Sequence, residues 1–386
     1  MSVTDAVGST TLYFGPWYRK SPFFEATLRA GCDAYDIYNH MYLPGHYDDP
    51  ITEYWALLND VTLWDVGVER VVEISGRDAF ELTNMMTCRD LTRCEVGQGK
   101  YAPIIAPSGG LVNDPVLLRR DEQTFWLCLA DSDVHLYAMG LAHGRGLDAT
   151  VSLPEVYPLQ VQGPKAKDLM SDLLGPEVLD VRYYWTLDTH LAGIPVVISR
   201  TGWTAEIGYE VYLTDASRGD ELWEAIMAAG RPYDIRPIAP CEARRIEAGI
   251  FNCNSDFTIE NNPFEISGME RLVEEQEADY VGKEALELVR SRGVSRKLVG
   301  VTVPGDPLEL ELSEARPVLS GGRAVGRLTD LVFSPRLEKN IGYAWVPIEL
   351  AAPGNELEVD WPGGRRSPAT TAQIPFLDPQ KKPPAA

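Results

Sequence analysis

The stretch from residue 194 to residue 213 constrains the fold most. Ile194-Pro-Val-Val-Ile198 is a compact run rich in β-branched residues, and Tyr209-Glu-Val-Tyr-Leu213 alternates, so both read as strands. Between them Gly202 and Gly208 bracket a turn that carries Trp203 and Glu206, and Glu210 opens the returning strand. A glycine-bounded hairpin with a ring and a carboxylate at its end can hold a flat ligand with polar edges. The ring supplies a stacking face, and the carboxylate accepts from two parallel N–H donors. The alternative is a surface hairpin with a solvated acid.

At 386 residues the chain calls for two or three domains. Its net charge of −22 repels nucleic acid and anionic membrane. A polyanionic ligand would therefore need a local basic patch. Cys32, Cys88, Cys94, Cys128, Cys241 and Cys253 form no C-x-x-C pair, which argues for small buried hydrophobes in a reducing compartment. The five histidines are scattered, and no catalytic metal is expected. The first residues lack a basic n-region and an apolar h-region, and no apolar run approaches the ~20 residues that span a bilayer. A cytoplasmic location is expected.

Along the chain, residues 1–20 read as an arm and residues 21–31 as a helix. Residues 49–63 read as a helix with Pro50 in its first turn, 68–74 as a strand and 78–86 as a helix. Residues 101–105 and 110–118 flank the turn Pro107-Ser-Gly-Gly110, a hairpin signal. Residues 125–129 read as a strand followed by a helix from Asp133, and 157–162 as a strand followed by a helix from Gly163. Helices and strands alternate, but several strand pairs are hairpins, so the pattern predicts α+β with mixed or antiparallel sheets. From Leu298 to Pro375 the chain is nearly all short alternating runs with Gly and Pro turns, a separate β-rich domain. The expected division is 1–285 and 286–386. The tail from Asp378 reads as loose.

Arg200-Thr-Gly-Trp-Thr-Ala-Glu-Ile-Gly-Tyr-Glu210 resembles the R-x-G-Y-T-G-E-x-G-x-E signature of the aminomethyltransferase, or glycine-cleavage T-protein, family. Trp203 stands for the usual Tyr and Ala205 for the second Gly. Other landmarks match in order: Ser108-Gly-Gly-Leu-Val-Asn-Asp114, Leu159-Gln-Val-Gln-Gly-Pro-Lys-Ala166, Arg245-Ile-Glu-Ala-Gly249, and Gly326 to Pro335 with Ile341 to Pro347. The resemblance covers about residues 50–378. It implies a three-part ring with a C-terminal β-barrel around a central folate channel, and tetrahydrofolate as the one-carbon acceptor. Residues 17–44 and 104–134 resemble a branch of the family that demethylates dimethylsulfoniopropionate. The A-R-D of the glycine-cleavage branch is missing, since Pro240-Cys-Glu-Ala243 stands there.

The resemblance implies a methyltransferase that moves a methyl group from a small onium donor, most closely dimethylsulfoniopropionate, to N5 of tetrahydrofolate. Asp114 matches the family's acid near the reacting centre, where it would orient N5 and help manage its proton. Glu210 matches the residue that reads the pterin edge. Trp203, Tyr101, Tyr184, Arg245 and Arg336 complete the expected folate contacts, with the two arginines as anchors for the glutamate tail. A cationic donor wants aromatic faces, which Tyr183-Tyr-Trp185, Trp203 and Tyr209 could supply. Ser132 and Lys20, with Arg19, could meet the donor's carboxylate; plain N-cap and solvated-arm roles stand beside that reading. No obligatory protein partner is expected. Three rival readings remain open in the sequence. One is an aminomethyltransferase working on a lipoyl carrier protein, another an aryl methyl ether demethylase. The third is a non-enzymatic folate-binding regulator, whose relatives carry a K-G-C-[FY]-x-G-Q-E run that is missing here.

Overall fold

The hairpin expected from the sequence lies inside a larger sheet. In the computed structural model, which describes residues 14–308, 312 and 314–377, Ile194–Ser199 and Gly208–Leu213 pair antiparallel with Ser199 opposite Glu210. They belong to a six-stranded sheet that runs Thr186–Leu191, Ile194–Ser199, Gly208–Leu213, Tyr157–Gln162, Thr62–Asp65 and Arg236–Pro237. Helices Ala166–Leu174 and Gly219–Gly230 cover its apolar face: Leu169, Met170, Leu222 and Ile226 pack on Val161, Ile198 and Val211. The other face carries Gln160 and Glu210, which stand opposite each other in the register.

A second sheet runs Thr150–Ser152, Val71–Ser75, Thr124–Cys128, Val116–Asp121 and Gly99–Tyr101. Helices Ala79–Met86 and Val134–Arg145 pack over it. The turn at 107–110 joins Ile104–Ile105 to Leu111–Asn113, as the Pro-Ser-Gly-Gly signal predicts. The third body is a closed barrel of Arg296–Val303, Lys339–Pro347, Arg323–Ser334, Arg316–Ser320, Glu356–Asp360 and Arg366–Ala372. The expected division at residue 285 falls within the helix Lys283–Arg292 that leads into it.

One expectation needs correction. The helix expected over 49–63 ends at Asn59, and Thr62–Asp65 is a strand. Val61 to Asp65 are all buried between two neighbouring strands, and that tertiary pairing outweighs the helical spacing. Over residues 14–20 the arm is mostly exposed, yet tied to the fold. Arg19 N–H donates to His40 O at 2.9 Å, Tyr42 N–H donates to Arg19 O at 3.1 Å, and Phe14 packs edge-on against Phe24, Tyr35 and Tyr42. Residues 1–13 and the tail from Asp378 lie outside the described residues. All six cysteines are free and five are buried. Among the described residues no helix is long and apolar enough to cross a membrane.

Candidate active site

All three bodies face one cavity of about 1380 Å³. The six-stranded sheet contributes Gln160 and Glu210, the five-stranded sheet Tyr101, Val116 and Cys128, and the barrel Thr329 and Asp330. Pockets for single drug-sized ligands run ~300–1,000 Å³, so this space is larger than one such ligand needs.

Asp114 follows the short strand Leu111–Asn113 and precedes Pro115, so the backbone leaves the ladder there. Its side chain is half-buried on the cavity wall. Tyr101 Oη donates to Oδ2 at 2.7 Å, while Oδ1 is buried without a hydrogen-bond partner. Burial pushes this carboxyl up to about 7, and the Tyr101 hydrogen bond opposes the shift. An acid held there can take or give a proton at neutral pH.

Glu210 is 3% exposed. It accepts from Gln160 Nε2 at 3.2 Å, Thr201 Oγ1 at 2.7 Å and Tyr212 Oη at 2.6 Å. Burial raises its pKa against the last two bonds. A carboxylate has about four acceptor positions, so one remains. Gln160, itself 1% exposed, has an unpartnered Oε1 beside it. Two unmet acceptors on neighbouring strands suit a flat ligand edge that presents N–H groups.

The loop at 200–207 is built around Gln162. Its Oε1 accepts from Thr204 Oγ1 at 2.9 Å, and its amide fills the space beneath both bracketing glycines. A Cβ at Gly202 or Gly208 would lie within 2.4 Å of it. Ala205, where the family signature has Gly, adopts φ +54°. The loop presents Trp203 to the cavity, backed by Leu57, Trp64, Val66 and Ile238. Glu206 does not await a ligand, as the sequence suggested: Arg244 donates to its Oε1 through Nε at 3.0 Å and Nη2 at 2.7 Å. Tyr184 lines the cavity at φ +63°, its backbone tied to Gly99 and Arg200 on the two sheets. Such a conformation in a bulky residue is uncommon and clusters at functional sites.

Of the expected residues, Asp114, Glu210, Trp203, Tyr101, Tyr183, Tyr184 and Arg336 line this cavity; Arg336 is exposed, as is Arg271, which also lines it. Four do not. Tyr209 is fully buried on the opposite face from Glu210, because successive strand residues alternate. Arg245 is fully buried and donates to Glu242, Asp256 and Asp330, so its guanidinium cannot reach a glutamate tail. Lys20 pairs with Glu25 at 3.0 Å outside the cavity. Ser132 accepts from Asn113 Nδ2 at 2.8 Å and does not cap the helix, whose N-cap is Asp133. Trp185 stacks on Arg182 at 3.8 Å, away from Tyr183 and Tyr184. Sequence reasoning missed Gln160, Arg244 and Glu69. Only Gln160 left a signal, a polar residue that with Gln162 interrupts an otherwise apolar strand.

The profile described as GCVT N-terminal domain matches residues 23–277, and that described as Glycine cleavage T-protein C-terminal barrel domain matches residues 296–378. The chain belongs to the glycine cleavage T-protein family, and so to the folate-dependent transferases. Its similarity to the dimethylsulfoniopropionate demethylase of Ruegeria pomeroyi is 35% identity, over 90% of this chain and 94% of that one. An aminomethyltransferase of Symbiobacterium thermophilum is 30% identical over 93% of this chain and 97% of its own. The aminomethyltransferase T structure from Bartonella henselae shares the fold, with a TM-score of 0.83, 20% identity and coverage of 93% and 98%. Family members use tetrahydrofolate as methyl acceptor or carrier. The unmet acceptors of Glu210 and Gln160 and the Trp203 ring fit such a molecule's flat, N–H-edged end.

Proposed function

We propose that the protein transfers a methyl group from dimethylsulfoniopropionate, or a closely similar small onium, to N5 of tetrahydrofolate. The observation that carries this reading is Asp114, a carboxylate with one unpartnered oxygen and a pKa near neutrality, in a cavity larger than one drug-sized ligand needs. The acceptor supplies a nitrogen lone pair; the methyl carbon changes partners, the S–C bonding pair stays on sulfur, and the nitrogen's proton leaves. Asp114 is placed to receive that proton, with Tyr101 fixing the orientation of its carboxylate. Glu210 and Gln160 hold the flat end, and the protein's main work is alignment. A sulfonium leaves as a neutral thioether, so no acid is needed at sulfur. The similarity to a dimethylsulfoniopropionate demethylase supports the donor. Pro240 to Ala243, in place of the A-R-D run, argue against the lipoyl-bound substrate of a glycine-cleavage system. A reducing, cytoplasmic setting is part of this reading.

The test mixes purified protein, tetrahydrofolate and dimethylsulfoniopropionate without air and follows 5-methyltetrahydrofolate and methylmercaptopropionate by mass spectrometry. Equal appearance of both is expected. Product from a methoxy-aromatic donor alone would overturn the onium reading and leave the folate site standing.

A further inference from the structure

Glu69 lies between the strands Thr62–Asp65 and Val71–Ser75, in the segment Val68-Glu-Arg70 that crosses from one sheet to the other. Its side chain is half-buried and lines the same cavity as Asp114 and Glu210. No hydrogen bond or ion pair reaches its carboxylate among the described residues. The cavity's arginines lie elsewhere: Arg244 is held by Glu206 and Glu247, and Arg271 and Arg336 are exposed. Glu69 therefore presents an acidic group with no cation of the protein's own. A half-buried carboxylate without a partner favours a positive group placed beside it.

The position of this group is fixed with care. The hairpin of Ala34–Tyr38 and Met41–His46 turns at Asn39 and His40, which adopt φ +50° and +61°. Asn39 is 2% exposed, and its Nδ2 donates to Val68 O at 3.0 Å and Ala130 O at 3.1 Å. Its Oδ1 accepts from Ser132 N–H at 3.1 Å. These bonds pin the hairpin tip against the residue preceding Glu69. They bring the Tyr38 ring into the cavity near both Glu69 and Asp114. A carboxylate and an aromatic ring on one cavity wall are the chemistry that recognises an onium group.

We propose that Glu69 is the specificity-determining residue of this enzyme, its carboxylate serving as the counter-charge for the donor's onium group beside the Tyr38 ring. The inference rests on the onium reading above and assigns it a residue. Burial and the proximity of Glu210 raise the Glu69 carboxyl well above the usual range. A fixed positive charge beside it favours the ionised form. A neutral donor would forfeit that interaction, which makes the group a filter as well as a contact.

The experiment compares wild type, Glu69→Gln and Glu69→Asp with dimethylsulfoniopropionate as substrate. The inhibitor is 4-methylpentanoate, which carries an uncharged CH in place of the sulfonium. In Glu69→Gln the KM for the onium should rise about tenfold or more with kcat within about threefold, as expected for loss of a charge-assisted contact. The Ki of 4-methylpentanoate and the calorimetric affinity for tetrahydrofolate should stay within about twofold of wild type, and Glu69→Asp should recover part of the KM. An unchanged KM overturns the proposal. So does an equal loss for the onium and the neutral analogue, which marks packing, or a loss confined to tetrahydrofolate, which marks a pterin contact. If wild type accepts only neutral methyl donors, the onium reading and this inference fall together. If it accepts the onium but Glu69→Gln does so equally well, only the role of Glu69 falls.

Discussion

Asp114 shows how this site trades stability for chemistry. Its folded pKa is raised from 3.8 to about 7. A raised carboxyl binds a proton more tightly folded than unfolded, so its penalty grows as pH rises from about 4 to 7 and is complete above that. Asp114→Asn keeps the acceptor for Tyr101 and removes the charge. We expect it to stabilise the protein on the order of 2 kcal/mol at pH 8 and hardly at all at pH 4, read from thermal melts. Turnover should fall about 10²-fold, and the acid limb of the wild-type rate near pH 7 should disappear. A variant that gains no stability at pH 8 would show that Asp114 is well solvated. Glu210→Gln should weaken tetrahydrofolate binding by about 1–3 kcal/mol in titration calorimetry; unchanged affinity would remove Glu210 from the site. These two acids were legible because each ends a recognisable run. Tyr209 was misread beside Glu210 although the alternation of strand faces already forbade both from pointing into one cavity. Glu69 was not legible at all, since what singles it out is that no hydrogen bond or ion pair reaches its carboxylate among the described residues.

At the scale of elements, the hairpins were the most readable parts. Gly202, Gly208 and the Pro-Ser-Gly-Gly turn follow from local backbone and packing demands that adjacent residues display. The helix that stopped at Asn59 was not readable in the same way, because the neighbours that make Thr62–Asp65 a strand come from residues 157–162 and 236–237. The helix Glu242–Glu247 makes the same point energetically. Arg245 looked like a ligand anchor, yet it ties Glu242 and Asp256 to Asp330 of the barrel, with Nε–Oε2 at 2.6 Å and Nη1–Oδ2 at 2.7 Å for the first two. Removing one partner from a buried ion cluster strands the others. Arg245→Ala should therefore lower the stability from urea unfolding by about 3–5 kcal/mol. A loss below about 1 kcal/mol would mean that water reaches the three carboxylates.

At the scale of the whole molecule, a net charge of −22 must admit a ligand that carries glutamate carboxylates. Two fields compete. The distributed negative charge acts over the Debye length, ~30 Å at 0.01 M salt and ~8 Å at 0.15 M. Arg271 and Arg336, both exposed and both lining the cavity, act only near its entrance. At low salt the long-range repulsion should win and slow association; near 0.15 M it is screened while the arginines still act at short range. Toward 1 M, with a Debye length of ~3 Å, their attraction is lost as well. The association rate of tetrahydrofolate, followed by stopped-flow quenching of tryptophan fluorescence, should therefore rise between 0.01 and 0.15 M salt and fall again toward 1 M. In Arg336→Gln the rise should remain and the fall should flatten, because the first belongs to the whole surface and the second to the entrance. A rate that falls steadily from the lowest salt in the wild type would mean that the entrance arginines outweigh the net charge even at long range, and would overturn this division of labour.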